Sequence, residues 1–130
     1  MITEISDIIL NSRDSSYSNG VSDECICITE KEMQMTFSQD YRSYLKCFGV
    51  AIVNGHELTG LNCDNRVNVK AVTRDAKTRD SNVPQDWYVV EDTHIDDIIV
   101  WQDQEGDIYL KSPYTKPKKI CNSLSEYLDM

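Results

Sequence analysis

The sequence predicts an α+β fold, a mainly antiparallel sheet with helices before it and a short helix after it. Three observations carry this expectation. Pro84 to Leu110 holds three short β-branched and aromatic runs, Trp87–Val90, Ile98–Trp101 and Ile108–Leu110, which suit a pleated surface. Phe37, Tyr41, Tyr44, Leu45 and Phe48 recur at spacings of three and four, which gives a helix one apolar face. Helical patterns come first, strand patterns follow, and a helical pattern closes the chain, the order expected of α+β rather than of βαβ repeats.

The elements follow in order. Ile2, Ile5, Ile8 and Ile9 sit at helical spacing and predict a short amphipathic helix ending near Asn11. Asn11 to Asp23 is rich in Ser, Asn and Gly and reads as a surface loop. Cys25-x-Cys27 alternates with Ile26 and Ile28, which reads as a strand or buried segment rather than a metal site. Thr29 to Glu32 has the form of a capping box and predicts a helix of one or two turns through Met33. Ser38 caps the next helix, Asp40 faces the positive end of its dipole, and Gly49 is placed to end it as a C′ glycine.

Asn54-Gly55, between Val50–Val53 and His56–Leu58, predicts a hairpin with a type I′ turn, and Leu61 closes the strand after Gly60. Asn62 to Asn65 is a further turn. Val67 to Val72 suits a strand or the start of a helix, and Thr73 to Ser81 an exposed helix or loop. The final hairpin turns at Gln102–Asp107, with Gly106 in the turn. Ser112 to Lys119, with two prolines, reads as a loop, and Ser123 to Glu126 is a second capping box with Leu124, Tyr127 and Leu128 turned inward.

At 40% hydrophobic and 27% charged, the 130 residues have the composition of a globular chain that can bury its own core. No apolar run approaches the roughly 20 residues that span a bilayer. MITEISDIIL carries acids where a secretory signal carries Lys or Arg, and five cysteines lack framework spacing, so a cytoplasmic chain is expected. The net charge of −9 is unevenly spread. Residues 84–110 carry −8 with no Lys or Arg, 1–40 carry −6, 41–83 carry +3 and 111–130 carry +2. Such a field repels phosphate, which argues against nucleic acid as the direct ligand, and it speeds encounter with a positive partner.

Catalytic signals are weak. There is no GxSxG, P-loop or dinucleotide fingerprint, and His56 and His94 lack motif context. Asp96-Asp97 on a strand would point to opposite faces. Asp103-x-Glu105-x-Asp107 lacks the glycine position and closing Glu of a calcium loop. Asp75-x-Lys77, a fragment of some metal-dependent nuclease motifs, falls in a polar exposed run. No enzyme activity, metal or cofactor is expected.

Two longer stretches carry a resemblance. ITEKEMQMTFSQDYRSYLKCFG, from Ile28 to Gly49, resembles the N-terminal signature of the SUKH superfamily, a short acidic helix leading through Asp-Tyr to a helix that ends in a glycine. DWYVVE (86–91), IVWQDQEGDIYL (99–110) and ICNSLSEYL (120–128) resemble its closing strands and terminal helix. Ser38 replaces the usual Pro and Leu124 the usual Phe. The spacing of Gly49, Asn54-Gly55 and Gly60 is similar to YobK-type bacterial immunity proteins.

The resemblance implies one SUKH-like (Knr/Smi-like) domain over residues 1–130, with helices packed around a curved sheet. It further implies a non-enzymatic immunity protein, or antitoxin, that binds the C-terminal toxin domain of a polymorphic toxin, often a nuclease. A basic nuclease domain suits the acidic field. On that reading Glu91, Asp92, Asp96, Asp97, Asp103, Glu105 and Asp107 are the candidate toxin contacts, with Trp101 or Tyr88 as an aromatic anchor. The alternative is a regulatory scaffold or adaptor of the same fold that binds an endogenous basic protein. A monomer and a homodimer, paired through an edge strand, are both compatible with the sequence.

Overall fold

A computed structural model describes residues 5–130. In chain order the elements are α1 (Ile5–Asn11), β1 (Ser15–Tyr17), α2 (Asp23–Met33), α3 (Gln39–Cys47), β2 (Ala51–Val53), β3 (His56–Glu57), α4 (Val69–Arg79), β4 (Tyr88–Asp92), β5 (Ile99–Gln102), β6 (Ile108–Lys111), β7 (Lys118–Cys121) and α5 (Leu124–Leu128). The fold is α+β, as the sequence predicts. No helix among the described residues is long and apolar enough to cross a membrane.

Strands β1, β2 and β3 form one antiparallel sheet, and β4 to β7 form a second as a plain meander. An antiparallel bridge from Leu58 to Glu91 joins the two, and Thr59 N donates to Val90 O at 2.9 Å. The Asn54-Gly55 turn takes positive φ at both residues, 50° and 86°, as a type I′ turn requires. Gly60 is required by close approach, since a Cβ there would lie 1.9 Å from the Gly49 carbonyl oxygen.

The second sheet is covered on both faces. Tyr88, Val90, Val100 and Ile108 enter the main core with Ile5, Ile9, Tyr41, Leu45, Leu124 and Leu128 of helices α1, α3 and α5. Val89, Ile99 and Trp101 form a second cluster with Ala76 of α4, flanked by Trp87 stacked on Tyr109 at 4.1 Å. One irregularity resets this alternation. Val89 pairs with Trp101 but Glu91 pairs with Val100, so Val90 is an extra residue in β4. A bulge of one residue exchanges the two faces for everything beyond it. Glu91 therefore turns to the α5 side, where it meets Tyr127, and Asp92 turns to the α4 side, within 4.0 Å of Arg79.

Local signals were reliable where a side chain caps its own helix. Ser38 Oγ accepts from Tyr41 N, and Ser123 Oγ accepts from Glu126 N while Glu126 Oε2 accepts from Asn122 N. Phe37, Tyr41, Tyr44, Leu45 and Phe48 are all buried, as are Leu124, Tyr127 and Leu128.

Other expectations are corrected. Cys25 and Cys27 lie in α2, a helix capped by Ser22 that already contains Thr29 to Glu32. Thr29 Oγ1 donates to Cys25 O, and Glu32 lies 3.3 Å from Lys70, so neither acts in a capping box. The Asn11–Asp23 loop contains β1 and the Ser112–Lys119 loop ends in the first residues of β7, while residues 69–79 take the helical one of the readings left open, under an Asn68 cap. Gly49 follows an extended Phe48 and is not left-handed, and glycine is needed there because a Cβ would lie 2.7 Å from Asn19 O and from Ser18 Oγ. Ile2 lies outside the described residues.

Candidate functional site

Of the acidic candidates, Glu91 and Asp92 lie in β4, and Asp96, Asp97, Asp103, Glu105 and Asp107 occupy two turns of the β4–β7 meander. Successive turns of a meander lie at opposite ends of its strands, and Ile98 and Asp103 are separated by about 17 Å at ~3.4 Å per residue. The acidic segment is therefore two surfaces, one at each end of the sheet.

The first turn runs from Thr93 to Ile98. Thr93 Oγ1 donates to Ile98 O at 2.7 Å and accepts from Ile95 N at 3.2 Å, and Ile98 N donates back to Ile95 O. His94, Asp96 and Asp97 hold φ of 57°, 54° and 59°, left-handed values that Asp and His tolerate better than most side chains. Asp96 and Asp97 are exposed and form no salt bridge among the described residues. Ile95 between them and His94 is 63% exposed, an apolar tip in an acidic rim that the sequence reading did not single out. Asp92 is half-buried, accepts from His94 N at 2.9 Å, and shares charge with Arg79.

The second turn runs from Asp103 to Asp107. Asp103 is turned inward. Its Oδ1 accepts from Asp107 N at 3.0 Å and its Oδ2 from the Tyr109 hydroxyl at 3.2 Å. Asp107 is 3.1 Å from Lys119 of β7, and Glu105 is exposed. Burial, with Asp103 and Asp107 close by and Asp86 beyond them, raises the Tyr109 hydroxyl to about 12, so it stays a donor. Asp86 thus belongs to this end, placed there because Tyr88 pairs with Gln102.

Two candidates leave the surface. Glu91 is 7% exposed, and its Oε1 accepts both from the Tyr127 hydroxyl at 2.5 Å and from His56 Nδ1 at 2.9 Å. Burial first, and then the Glu91 carboxylate, hold the Tyr127 hydroxyl well above its ordinary pKa, so it remains the donor. Trp101 is 1% exposed in the cluster under α4, with its Nε1 without a partner among the described residues. Both are withdrawn as partner contacts because the bulge and the sheet alternation turn them inward. Tyr88 is likewise buried. It accepts from Ser38 N and donates to Gln102, whose amide donates to Asp40 and to the Gly106 carbonyl.

What remains at the two ends is a set of carboxylates free to accept from Lys or Arg, strongest where the donor is a bidentate guanidinium. No three His, Cys, Asp or Glu side chains among the described residues are grouped to hold a metal ion. No curated protein matches the chain. The family described as SMI1-KNR4 cell-wall matches residues 23–128, a span that begins at α2 and ends with α5. The superfamily is known for immunity proteins in toxin systems, and its fold is generally one that binds rather than catalyses. The chain belongs to the SMI1-KNR4 cell-wall family of the SUKH superfamily.

Proposed function

We propose that the protein is the immunity partner of a bacterial polymorphic toxin, acting in the cytoplasm by binding the toxin's C-terminal domain and covering its active surface. Membership of a superfamily known for immunity proteins is the observation that carries this reading. The charge adds to it. Nuclease domains are basic where they bind phosphate, and the exposed Asp96, Asp97 and Glu105 offer carboxylates to such a surface. Asp92, Asp103 and Asp107 support them from partly covered positions, and Ile95 supplies apolar area at the first turn.

The test uses charge removal that respects the backbone. Asp96→Asn and Asp97→Asn keep residues that accept left-handed φ, and Glu105→Gln keeps size, whereas changing Asp103 would break its own turn. Cells expressing the C-terminal domain of the proposed toxin partner are scored for survival. The triple variant is expected to lose protection while its thermal midpoint stays unchanged. Full protection by the triple variant would overturn the acidic-surface reading. Separate variants of the two turns show which end of the sheet docks.

A second reading is a regulatory scaffold that binds an endogenous basic protein, and the cell-wall wording of the family description favours it. A neighbouring gene for a large secreted protein with a variable C-terminal domain supports the first reading, and a lone gene the second.

A further inference from the structure

The acidic ends are not the whole charged surface. On α4, Lys70, Arg74 and Lys77 stand at i, i+4 and i+7, which places three cations on one face of the helix. That face borders a groove whose other wall is the end of α2 and the segment after it. Two adjoining hollows of about 180 and 370 Å³ share Glu32, Lys70 and Arg74 as lining.

The cations are unequally satisfied. Lys70 is 3.3 Å from Glu32. Lys77 Nζ donates to the Gln85 carbonyl at 2.7 Å and has no carboxylate within salt-bridge distance among the described residues. Burial is the main influence on that ammonium and lowers its pKa. Arg74 is exposed and forms neither an ion pair nor a side-chain hydrogen bond among the described residues, which leaves its guanidinium fork available.

The floor is apolar. Met33 and Met35 line the groove, half-buried on the main core, and are held there by the left-handed Gln34, whose N–H donates to Glu30 O and Lys31 O. Thioether side chains give an adaptable surface for another apolar side chain.

We propose that this groove is a second docking site, for an extended polypeptide segment in which acidic residues flank an apolar one. The dimensions fit. Lys70 to Lys77 spans about 10 Å of helix, the length of roughly three extended residues. Acids at alternate positions of such a strand reach Arg74 and Lys77 while the residue between them turns to Met33 and Met35. A nucleic acid suits the site less well, because its phosphates would meet the field of a chain carrying −9 and would leave the methionine floor unused. The site is opposite in charge to the acidic turns, with Asp86 of the acidic segment near Lys77, so one molecule can hold a basic partner and an acidic segment.

The experiment is fluorescence anisotropy with a labelled peptide of alternating Glu and Leu. A peptide with Lys in place of Glu and a short single-stranded DNA serve as counter-probes. Wild-type protein is expected to bind the acidic peptide, more weakly as salt rises. Arg74→Glu is expected to weaken that binding about tenfold, or ~1.4 kcal/mol, with Arg74→Lys falling between. Asp96→Asn with Asp97→Asn should leave it unchanged. Arg74 is exposed, so the thermal midpoint of the Glu variant serves as its folding control. The proposal is overturned if wild type does not bind the acidic peptide, if Arg74→Glu binds it equally well, or if the DNA binds in preference and is lost in that variant.

Discussion

Tyr127 reaches Glu91 from α5, and His56 reaches the same carboxylate oxygen from β3. One buried acid thus ties together three elements that are far apart in the chain. The cost of enclosing a carboxylate is offset only while it keeps its donors. Tyr127→Phe removes one donor with little change of shape, and is expected to cost about 1.5–3 kcal/mol in urea unfolding, the range for hydrogen bonds to charged groups. An unchanged midpoint would mean that water replaces the phenol without loss. Little of this was legible beforehand. Glu91 reads as one acid among eight in its segment, and its burial depends on the extra residue at Val90, which composition and periodicity do not reveal. Lys111 is a similar case, a buried cation 2.5 Å from Asp80 that the sequence leaves between a strand ending at Leu110 and a loop starting at Ser112.

Helices α3 and α5 begin where the sequence says, because a serine capping its own backbone is a short-range interaction. The two starts also share a partner. Asp40, in the first turn of α3, accepts from Ser38 Oγ and from Leu124 N at the first turn of α5. Ser38→Ala removes the acceptor for Tyr41 N and a donor to Asp40, and is expected to cost about 1–2 kcal/mol by the same unfolding measurement. A loss no greater than that of an exposed serine would contradict the cap's role. Elements defined by their partners were less legible. β1 is Ser-Ser-Tyr and β7 is Lys-Lys-Ile-Cys, and each becomes a strand by pairing with β2 or β6 rather than through propensity. In α2 the alternation of cysteine and isoleucine spans too few residues to separate a period of 2 from one of 3.6.

Across the whole molecule the charge pattern was visible in the sequence, but its geometry was not. Eight acids in 27 residues read as one surface, and the meander sends them to opposite ends of a sheet while the bulge buries one of them. Opposite in sign, α4 presents a cationic face elsewhere. A protein so divided would be steered toward a basic partner mainly by the exposed Asp96, Asp97 and Glu105. The most direct test is the association rate constant with the C-terminal domain of the proposed toxin partner, followed by stopped flow across a range of salt. Association at low salt is expected to exceed the neutral range of about 10⁵–10⁶ M⁻¹s⁻¹ and to fall steeply as salt rises. The variant carrying Asp96→Asn, Asp97→Asn and Glu105→Gln should start lower and fall less. Absence of a complex, or a rate indifferent to salt and to these three changes, would contradict the account.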